Sequence, residues 1–589
     1  MSTIKELLSK ENLRTAFGRL LHSHRRFPLA LLSAFVLATL LIYSISQEDD
    51  QVFEGLIETI STFVLGIPLM FSLELLAERK WWNKWMLLAG GLFVLVIYFF
   101  TTEFHPEDNE NIPFLIRFLG LALIFHLMVS VLPYLKVRDQ QKFWNFNKTL
   151  FLSILISALY SATLLAGLNL AILAIDQLFE ANIDGKVYGY VAVFIGTYVN
   201  TTLFANNVPN LEEIDNELSY PKGLKLFTQY VLLPLVAIYL IILLSYEVKI
   251  LLQWELPKGW VSNLVLASGV FGVLAFLLLY PIKNSSSWVG RFNKLYYWIL
   301  LPLIVLMMVA IYVRIDQYGV TEPRYLVAIL ACWLLGISLY FIISSKDEIW
   351  WIPLSLIAVA FIATFGPLSS ISVAERNQER RMTEVLNKYN LLPEGKLVKN
   401  SEMKLTTEDA DKLSGGLDYL SRRRPEVILA MLSEDDQKTF MESIEYNRKD
   451  LLWDWMTLEK TATEQVGDQR TINVYRQRES LEKAFNADYV MEVYPSGKDW
   501  SMTSSIDSVE IKVMKVGDTK LRIEIEDEEL IFDFLEVFQL PGEVKTEKLT
   551  FESGSTGWKG ILILNSFYKK GDKGFSNFDG KIYLIRKGD

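Results

Sequence analysis

About eleven long apolar stretches fill the first 370 residues of the chain, and the residues after them contain none. An apolar run of about 20 residues spans the hydrocarbon core of a bilayer as an α-helix. Within lipid, a helix satisfies the backbone polar groups of such a run without help from water. The sequence therefore predicts a polytopic all-α membrane bundle of about 11 transmembrane helices, followed by a water-soluble domain.

The apolar stretches divide the chain into predicted parts. These parts are a cytoplasmic N-terminal segment (1–26), a transmembrane domain (27–370), an extracytoplasmic helical segment (371–460) and an extracytoplasmic β-rich module (461–589). The predicted spans are residues 27–46, 56–76, 85–101, 112–135, 149–178, 187–204, 227–251, 260–282, 296–313, 325–344 and 350–368. The fifth span is long enough to tilt or to emerge from the bilayer.

Charged residues are concentrated in the C-terminal part. The residues from 375 onward hold 33 of the 58 Lys and Arg and 41 of the 68 Asp and Glu. This acidic excess argues against nucleic-acid binding, which normally needs a basic face. The single cysteine, Cys332, excludes an intrachain disulfide, and the four histidines are scattered along the chain. We therefore expect no metal centre and no cofactor.

The Lys and Arg residues of the loops predict the orientation of the bundle. With eleven spans and a cytoplasmic N-terminus, the predicted inner segments carry 19 of these residues and the outer ones five, as the positive-inside rule requires. An odd number of spans places the C-terminal domain outside the cytoplasm. Arg376, Arg380 and Arg381 follow the last span and run against this orientation, although long domains cross largely regardless of charge.

The residues after the last span predict an α segment followed by a small antiparallel β module. Residues 375–460 have helical periodicity, and Thr406 with Asp409 resembles a capping box at a helix start. From about residue 487, short β-rich runs alternate with turn residues. These runs are 489–494, 509–516, 521–525, 549–551, 561–567 and 582–585. The acidic run at 524–529 is interpreted as a solvated strand-to-helix connection.

Polar residues are concentrated in one predicted turn between two spans. They are Arg314, Asp316, Tyr318, Glu322 and Arg324. Ionisable groups at the membrane are costly, which makes them candidates for function. The functional interpretation is a gate or a polar-substrate contact on the outer side. The structural alternative, which we favour, is a buried turn that pairs its own charges, Arg314 with Asp316 and Glu322 with Arg324.

Further polar residues lie inside the predicted spans, namely Arg117, His126, Asn169, Asp176 and Asn200. Arg117 is near a helix end, where its side chain can reach the interface. His126 is deeper, and a hydrogen-bonded interior histidine is favoured over a proton relay. Asn169 and Asp176 are two helical turns apart and share a face that could line a polar path. Asn169 and Asn200 are the kind of residue that more often joins helices than binds ions.

Four segments of the sequence resemble a known family. They are Arg25-Arg26-Phe27-Pro28, Glu255-Leu256-Pro257-Lys258-Gly259-Trp260, the string Arg314-Ile315 … Tyr318-Gly319-Val320-Thr321-Glu322-Pro323-Arg324-Tyr325, and Gly395-Lys396-Leu397. The chain is similar there to an uncharacterised bacterial family of multi-pass membrane proteins, frequent in Bacteroidetes and labelled only as a domain of unknown function. The resemblance covers most of residues 25–420 and carries no mechanism. It implies an inner-membrane protein whose C-terminal domain lies in the periplasm.

Three hypotheses for function remain open. The first is a non-enzymatic inner-membrane protein of transport or envelope-assembly type, whose periplasmic domain contacts an envelope partner. The second is a membrane enzyme acting on a lipid-linked or envelope substrate at the outer leaflet, with Arg314, Asp316, Glu322 and Arg324 around a cavity. The third is a sensor whose β module binds a periplasmic ligand. We favour the first, because the C-terminal part carries no recognisable catalytic motif.

Overall fold

A computed structural model describes most of the membrane part and many of the helices and strands after it. The described residues are 18, 20–47, 50–105, 111–214, 220–253, 261–282, 287–344, 348–399, 403–443, 448–456, 459–460, 471–472, 489–493, 501–506, 509–516, 520–525, 528–533, 550–555, 558–569 and 575–587. The resembling segment at 255–260 lies outside them. The chain divides into two compact units, Met1–Thr461 and Ala462–Asp589.

Ten helices within the described residues are long and apolar enough to cross a membrane, which confirms the predicted polytopic bundle. They are α1 (Pro28–Gln47), α2 (Gln51–Glu78), α3 (Lys84–Thr101), α4 (Ile112–Tyr134), α5 (Gln140–Phe179), α6 (Lys186–Asn207), α7 (Lys222–Gln253), α8 (Ser262–Ile282), α9 (Trp288–Tyr318) and α10 (Glu322–Ile343). A shorter apolar helix, α11 (Trp351–Thr364), follows. Phe27, Phe146, Tyr296 and Leu303 are among the side chains buried in their common core.

Helix α5 begins earlier than the apolar pattern predicts. The predicted span starts at residue 149, whereas the helix starts at Gln140. The reason is an N-cap, because the Asp139 carboxylate accepts hydrogen bonds from the N–H groups of Gln141 and Lys142. The 40 residues of the helix rise about 60 Å, about twice the thickness of a bilayer core.

The last predicted span, residues 350–368, is helical only over α11. The helix ends at Thr364 because Gly366 has a left-handed backbone conformation, with φ of +78°. Its 14 residues rise about 21 Å, and the chain runs on beyond the helix to Leu368. At the start of α10, the Tyr325 hydroxyl donates a hydrogen bond to the Leu368 carbonyl (2.5 Å). Helix α11 and the residues after it therefore return the chain to the end of the bundle where α10 begins.

We call this end of the bundle the hairpin end, because it contains the turn at residues 319–321 between α9 and α10. Helix α4 reaches the same end. A Cβ atom added to Gly120 would lie 2.1 Å from Thr364 Oγ1, so α4 and α11 cross in direct contact at the last residue of α11. Arg117 lies one helical turn before Gly120 and is therefore also near the hairpin end.

A bidentate ion pair holds the opposite end of the bundle. Arg26 Nε lies 2.6 Å from Glu78 Oε1, and Arg26 Nη2 lies 3.0 Å from Glu78 Oε2, the geometry that suits a guanidinium and a carboxylate. Arg26 also donates to the Val208 carbonyl (2.6 Å). One turn before Glu78, the buried Glu74 carboxylate accepts the N–H of Leu29 (2.9 Å). These bonds join α1 to α2 and to the segment after α6.

After α11 the chain forms the predicted helical segment. It contains α12 (Ser370–Lys388), α13 (Thr407–Arg423), α14 (Pro425–Met431), α15 (Glu434–Glu442) and α16 (Arg448–Met456), with a short parallel pair of strands, β1 (Lys404–Leu405) and β2 (Glu459–Lys460). Met382, Leu386, Leu413, Leu417 and Phe440 are buried in its own core. The helices predicted after the last span are confirmed.

One half of the predicted capping box at the start of α13 is present, whereas the Thr406 N–H donates to the Tyr389 hydroxyl (3.4 Å) and not to Asp409. Thr406 Oγ1 accepts the N–H of Asp409 (3.3 Å). The Asp409 carboxylate accepts hydrogen bonds from Lys388 (2.6 Å) and from the hydroxyls of Tyr389 and Thr406 (both 2.8 Å). Burial alone would raise the pKa of Asp409, but the hydrogen bonds from these three residues outweigh it and lower that pKa to about 2. This network joins the end of α12 to α13.

The unit Ala462–Asp589 contains two antiparallel sheets, which confirms the predicted β module. One sheet has the order β3–β10–β11–β4, with β9 also paired to β10, and the other has the order β5–β6–β7–β8. The strands are β3 (Thr471–Ile472), β4 (Tyr489–Val493), β5 (Ser501–Ile506), β6 (Val509–Val516), β7 (Lys520–Ile525), β8 (Glu528–Asp533), β9 (Thr550–Gly554), β10 (Trp558–Lys569) and β11 (Phe575–Arg586). Phe532, Trp558, Leu562 and Leu584 are buried between them.

The sequence pattern misses three of these strands, namely β3, β5 and β8. β3 is only two residues long. β5 is largely polar, yet it pairs along its whole length with β6. β8 begins within the acidic run at 524–529, and the interpretation of that run as a strand-to-helix connection is wrong. Ile525 pairs with Glu528 across the β7–β8 hairpin, while Leu530 and Phe532 point inward. On β8, Glu528 and Glu529 precede the apolar alternation, which starts only at Leu530.

We predict that Asp409 makes the helical segment sensitive to acid. Its pKa is lower in the folded protein than its ordinary value of 3.8, so its stabilising contribution is present above about pH 4 and is lost as the pH falls toward 2. At pH 7, Asp409→Asn should lower the free energy of unfolding by about 1 kcal/mol, a value discounted for solvent screening at the exposed Lys388.

Thermal unfolding of the full chain in detergent, followed from pH 7 to pH 2, measures this contribution. The difference between Asp409→Asn and the unaltered chain should shrink as the pH falls. Asp435→Asn, in the exposed first turn of α15, is the matched control. A difference that stays constant over the whole pH range would contradict the prediction.

Candidate functional site

The turn between α9 and α10, where the sequence places its main polar cluster, is tight. Gly319 has φ of +75°, a conformation that residues with a Cβ rarely adopt. Its N–H donates to the Ile315 carbonyl (2.8 Å) and closes α9. A Cβ added to Gly319 would lie 2.8 Å from Gln378 Nε2 and 2.9 Å from Arg381 Cδ. The turn is therefore in direct contact with α12.

Two amide side chains of α12 bind the backbone of one residue of the turn, Val320. Asn377 Oδ1 accepts the N–H of Val320 (2.8 Å), and Gln378 Nε2 donates to the Val320 carbonyl (2.9 Å). Gln378 is buried. A buried turn must find partners for its backbone polar groups outside regular secondary structure. Here α12 supplies them.

Two arginines bind the neighbouring carbonyls. Arg381, from α12, donates to the carbonyls of Asp316 (3.0 Å) and Gln317 (2.9 Å). These carbonyls lie in the last turn of α9, where helical partners are missing and a positive charge is favoured. Arg324, from α10, donates to the Gly319 carbonyl (2.9 Å). The α9–α10 turn is thus capped from both sides.

Helix α13 makes a second contact, with the first residue of α10. The Tyr419 hydroxyl donates a hydrogen bond to Glu322 Oε1 (2.9 Å), and Glu322 is only 4% exposed. Burial raises the pKa of the Tyr419 hydroxyl, and the charge of Glu322 raises it further. The phenol therefore stays protonated and remains a donor. Burial also raises the pKa of the nearby Glu375, against the opposing effect of Arg424.

The predicted polar cluster divides into bound and exposed side chains. Glu322 is bound by α13, and Arg324 is bound to the turn, with its guanidinium 5.4 Å from the ring centre of Tyr318. Arg314, Asp316 and Tyr318 are exposed. Within the part of the chain that the structure describes, no ion pair joins Arg314 to Asp316 or Glu322 to Arg324, so the expected pairing is wrong. Glu322 is bound instead by Tyr419, and Arg324 by the Gly319 carbonyl. That these residues form a functional site stays a prediction.

Arg117 and His126 lie on different sides of α4. Arg117 Nη1 donates to the Thr101 carbonyl at the end of α3 (3.1 Å). His126 Nδ1 lies 2.7 Å from the carbonyl of Ala122 on its own helix. The expected interior position of His126 is wrong, because its side chain is exposed on the surface of the bundle. Apolar neighbours such as Phe125 form the buried face of the helix.

The remaining intramembrane candidates lie on α5 and α6. Asn200 Oδ1 accepts a hydrogen bond from the Ser161 hydroxyl (3.1 Å) and joins the two helices. Asp176 Oδ1 accepts the N–H of Ile183 in the loop after α5 (2.8 Å). Asn169 Oδ1 is buried and has no hydrogen-bond partner among the described residues. No hydrogen bond between described residues links these three side chains into a polar path.

Sequence reasoning missed the residues that bind the turn, because it selected ionisable groups within the spans. Asn377, Gln378 and Tyr419 lie instead in the amphipathic helices that follow. One signal was available. Gln378 is four residues before Met382 and therefore shares its face of α12, so it is a polar residue within an apolar stripe.

The fold and this junction define a class of protein, a multi-pass helical membrane protein with an appended α+β domain. A family model described as a domain of unknown function (DUF4153) matches residues 29–394. The match covers more than half of the chain, and the chain belongs to this family. The resemblance seen in the sequence is confirmed, whereas a Bacteroidetes origin stays a prediction. The matched residues include the α9–α10 turn and α12, while Tyr419 and the β module lie beyond them.

One similar protein is the uncharacterized protein PM1469 of Pasteurella multocida (strain Pm70). It is 24% identical to the chain over 376 residues, which cover 63% of this chain and 61% of that protein. The chain thus spans about three fifths of the length of this curated relative. No solved structure matches the chain.

We predict that the hydrogen bond between Tyr419 and Glu322 holds α13 against the bundle. Tyr419→Phe leaves the buried Glu322 carboxylate without this donor, which should cost about 1–3 kcal/mol. Hydrogen exchange of the α13 amides in the detergent-solubilised chain should become about tenfold faster. Glu322→Gln should have a smaller effect, because its amide oxygen still accepts the hydrogen bond. Tyr318→Phe, at an exposed tyrosine of the turn, is the matched control.

The double variant Tyr419→Phe with Glu322→Met tests the same bond by removing both partners. Replacing both polar groups is cheaper than leaving one of them buried and unpaired, so part of the loss should be recovered. If the α13 amides of Tyr419→Phe exchange at the rate of the unaltered chain, this hydrogen bond does not hold the helix.

Proposed function

We propose that this chain is an inner-membrane protein of envelope-assembly type. In this proposal the bundle is a rigid platform for an extracytoplasmic C-terminal domain that contacts a protein partner in the envelope. The observation that carries the proposal is the junction between the α9–α10 turn and the helices α12 and α13. Hydrogen bonds to the turn come from the side chains of Asn377, Gln378 and Arg381, as expected for a fixed joint.

The polar groups of the bundle favour this role over transport. A transport site is expected near the bilayer midplane, where polar groups and broken helices converge on a substrate. His126, Asp176 and Asn200 instead form hydrogen bonds within their own helix, to the following loop or to the neighbouring helix. This local use is typical of polar residues that fix helix ends and helix pairs.

A membrane enzyme is the second candidate, because three side chains remain exposed at the turn. Arg314, Asp316 and Tyr318 place a cation, a carboxylate and a phenol there. Such groups could act on a lipid-linked or envelope substrate. In this alternative the junction only supports the exposed side chains, and the two candidates therefore make opposite predictions for substitutions.

The proposal places the hairpin end of the bundle on the periplasmic side, as the Lys and Arg residues of the loops predict. The path of α11 supports it, because the chain returns to the hairpin end before α12 begins. We predict that alkaline phosphatase fused after Asp589 is active in cells and that a fluorescent protein fused there is dark. Fusions after Ser344, at the opposite end of α10, should behave in the reverse way. A phosphatase that is inactive after Asp589, with bright fluorescence, would overturn the orientation.

We also predict that the junction, and not the exposed cluster, is needed in the cell. A strain lacking the gene is scored for envelope defects and lipid composition and is then complemented. Asn377→Leu with Gln378→Leu should not complement, because both bonds to Val320 are lost. Arg314→Ala should complement fully. Glu384→Leu, at an exposed position of α12, is the control for changes to the helix surface.

Immunoblots of the membrane fraction separate loss of function from loss of protein in this test. The proposal requires that the double variant is present at a normal level and fails. Complementation by the double variant together with failure of Arg314→Ala would favour the membrane enzyme and overturn the proposal.

A further inference from the structure

A cavity lies in the side of the membrane bundle, separate from the α9–α10 turn. Its volume is about 930 Å³, and α2, α3, α4 and the end of α11 surround it. Cavities of this size are typical of small-ligand sites. In α3, which is described along its whole length, Leu88, Gly91 and Tyr98 are the buried residues. The rest of this helix is little covered by protein, so the α3 side of the cavity faces the surrounding bilayer.

The lining of the cavity changes character along the helices. Its polar residues, Tyr98, Thr101, Thr102 and Arg117, lie toward the hairpin end. The rest of the lining is apolar and includes Leu69, Leu73, Met86, Val94 and Met128. From Arg117 to Met128, α4 rises about 16 Å, which is about half of a hydrocarbon core of roughly 30 Å. The apolar part thus has the depth of one leaflet.

Two adjacent glycines shape the α3 wall. A Cβ added to Gly91 would lie 2.4 Å from Leu73 Cδ1, so α2 and α3 approach closely at that point. A Cβ added to Gly90 would meet no atom within 4 Å, and Gly90 lines the cavity. Position 90 therefore has room for a Cβ, and we expect a leucine there to occupy part of the cavity.

Arg117 gives the polar end of the cavity its charge. Its Nη1 donates to the Thr101 carbonyl (3.1 Å), and among the described residues no carboxylate forms an ion pair with it. A guanidinium has five N–H donors and binds phosphate oxygens in a bidentate manner. An arginine at the level of the lipid headgroups can bind a phosphate of the bilayer itself.

We propose that this cavity binds a glycerophospholipid, with one acyl chain between α2, α3 and α4 and the headgroup phosphate on Arg117. Three features match the three requirements of that molecule. The apolar part of the cavity has the length of an acyl chain, and the α3 side is open for its entry from the bilayer. Arg117 at one end supplies the positive charge for the headgroup phosphate. The proposal does not rest on the envelope-assembly role or on the side of the membrane on which the hairpin end lies.

The test uses the full chain purified in detergent and phosphatidylglycerol that carries a photoactivatable diazirine near the end of one acyl chain. We expect cross-links to peptides of α3 and α4 that contain Val94 and Met128. Gly90→Leu should reduce their yield about tenfold. Gly336→Leu, at an exposed α10 glycine that also has no atom within 4 Å of an added Cβ, should leave the yield unchanged.

A second measurement tests the phosphate. Arg117→Gln should weaken phosphatidylglycerol binding about tenfold through the loss of a charge-assisted hydrogen bond. Arg117→Lys should retain part of the affinity, because it keeps the charge without the bidentate geometry. A diacylglycerol probe with the same diazirine lacks the phosphate and should label the unaltered chain weakly and Arg117→Gln equally.

Several outcomes would overturn the proposal. In the first, Gly90→Leu is labelled as strongly as the Gly336→Leu control. In the second, diacylglycerol labels the unaltered chain as strongly as phosphatidylglycerol does. In the third, Gly90→Leu changes the oligomeric state while lipid labelling is unchanged. The last result would assign the cavity to a helix of a second copy. If Gly90→Leu does not fold, the labelled positions in the unaltered chain decide, since cross-links outside α3 and α4 would also overturn the proposal.

Discussion

A chain that crosses a bilayer must satisfy its backbone polar groups within the protein, and a turn between two spans makes this difficult. The α9–α10 turn leaves the last carbonyls of α9 without helical partners. Arg381 binds two of them. Asn377 and Gln378 bind the N–H and the carbonyl of Val320, and Arg324 binds the Gly319 carbonyl. The position of the helical segment follows from this requirement, because α12 carries the groups that the turn lacks.

Much of the fold was predictable from periodicity and hydropathy, and the errors of that prediction have local causes. An apolar run predicts a span but not its caps, so α5 starts at Gln140 through an N-cap that lies outside the apolar run. A glycine with positive φ ends α11 while the apolar run continues. In the β module, alternation predicts strands whose inner faces are apolar. β5 is largely polar in sequence, and its place is fixed by pairing with β6.

The candidate site was predictable in location but not in its contacts. Val320 is 57 residues from Asn377, and Glu322 is 97 residues from Tyr419. No local sequence pattern predicts contacts between residues so far apart in the chain. Arg381 and Gln378 bind backbone carbonyls, which every residue possesses, so the residue types of the turn do not indicate these partners. The polar cluster in the sequence marks the turn, and tertiary packing determines what binds it.

The turn and the lipid cavity belong to one compact unit, and direct contacts connect them. Gly120, beside the cavity, packs against Thr364. Four residues later, Leu368 accepts the hydrogen bond of Tyr325, which lies one turn from Glu322 and its bond to α13. Close-packed interiors transmit displacement because they contain few voids to absorb it. A lipid in the cavity would therefore bear on the same packed elements that position the helical segment, and its headgroup would lie at the end of the bundle where that segment is attached.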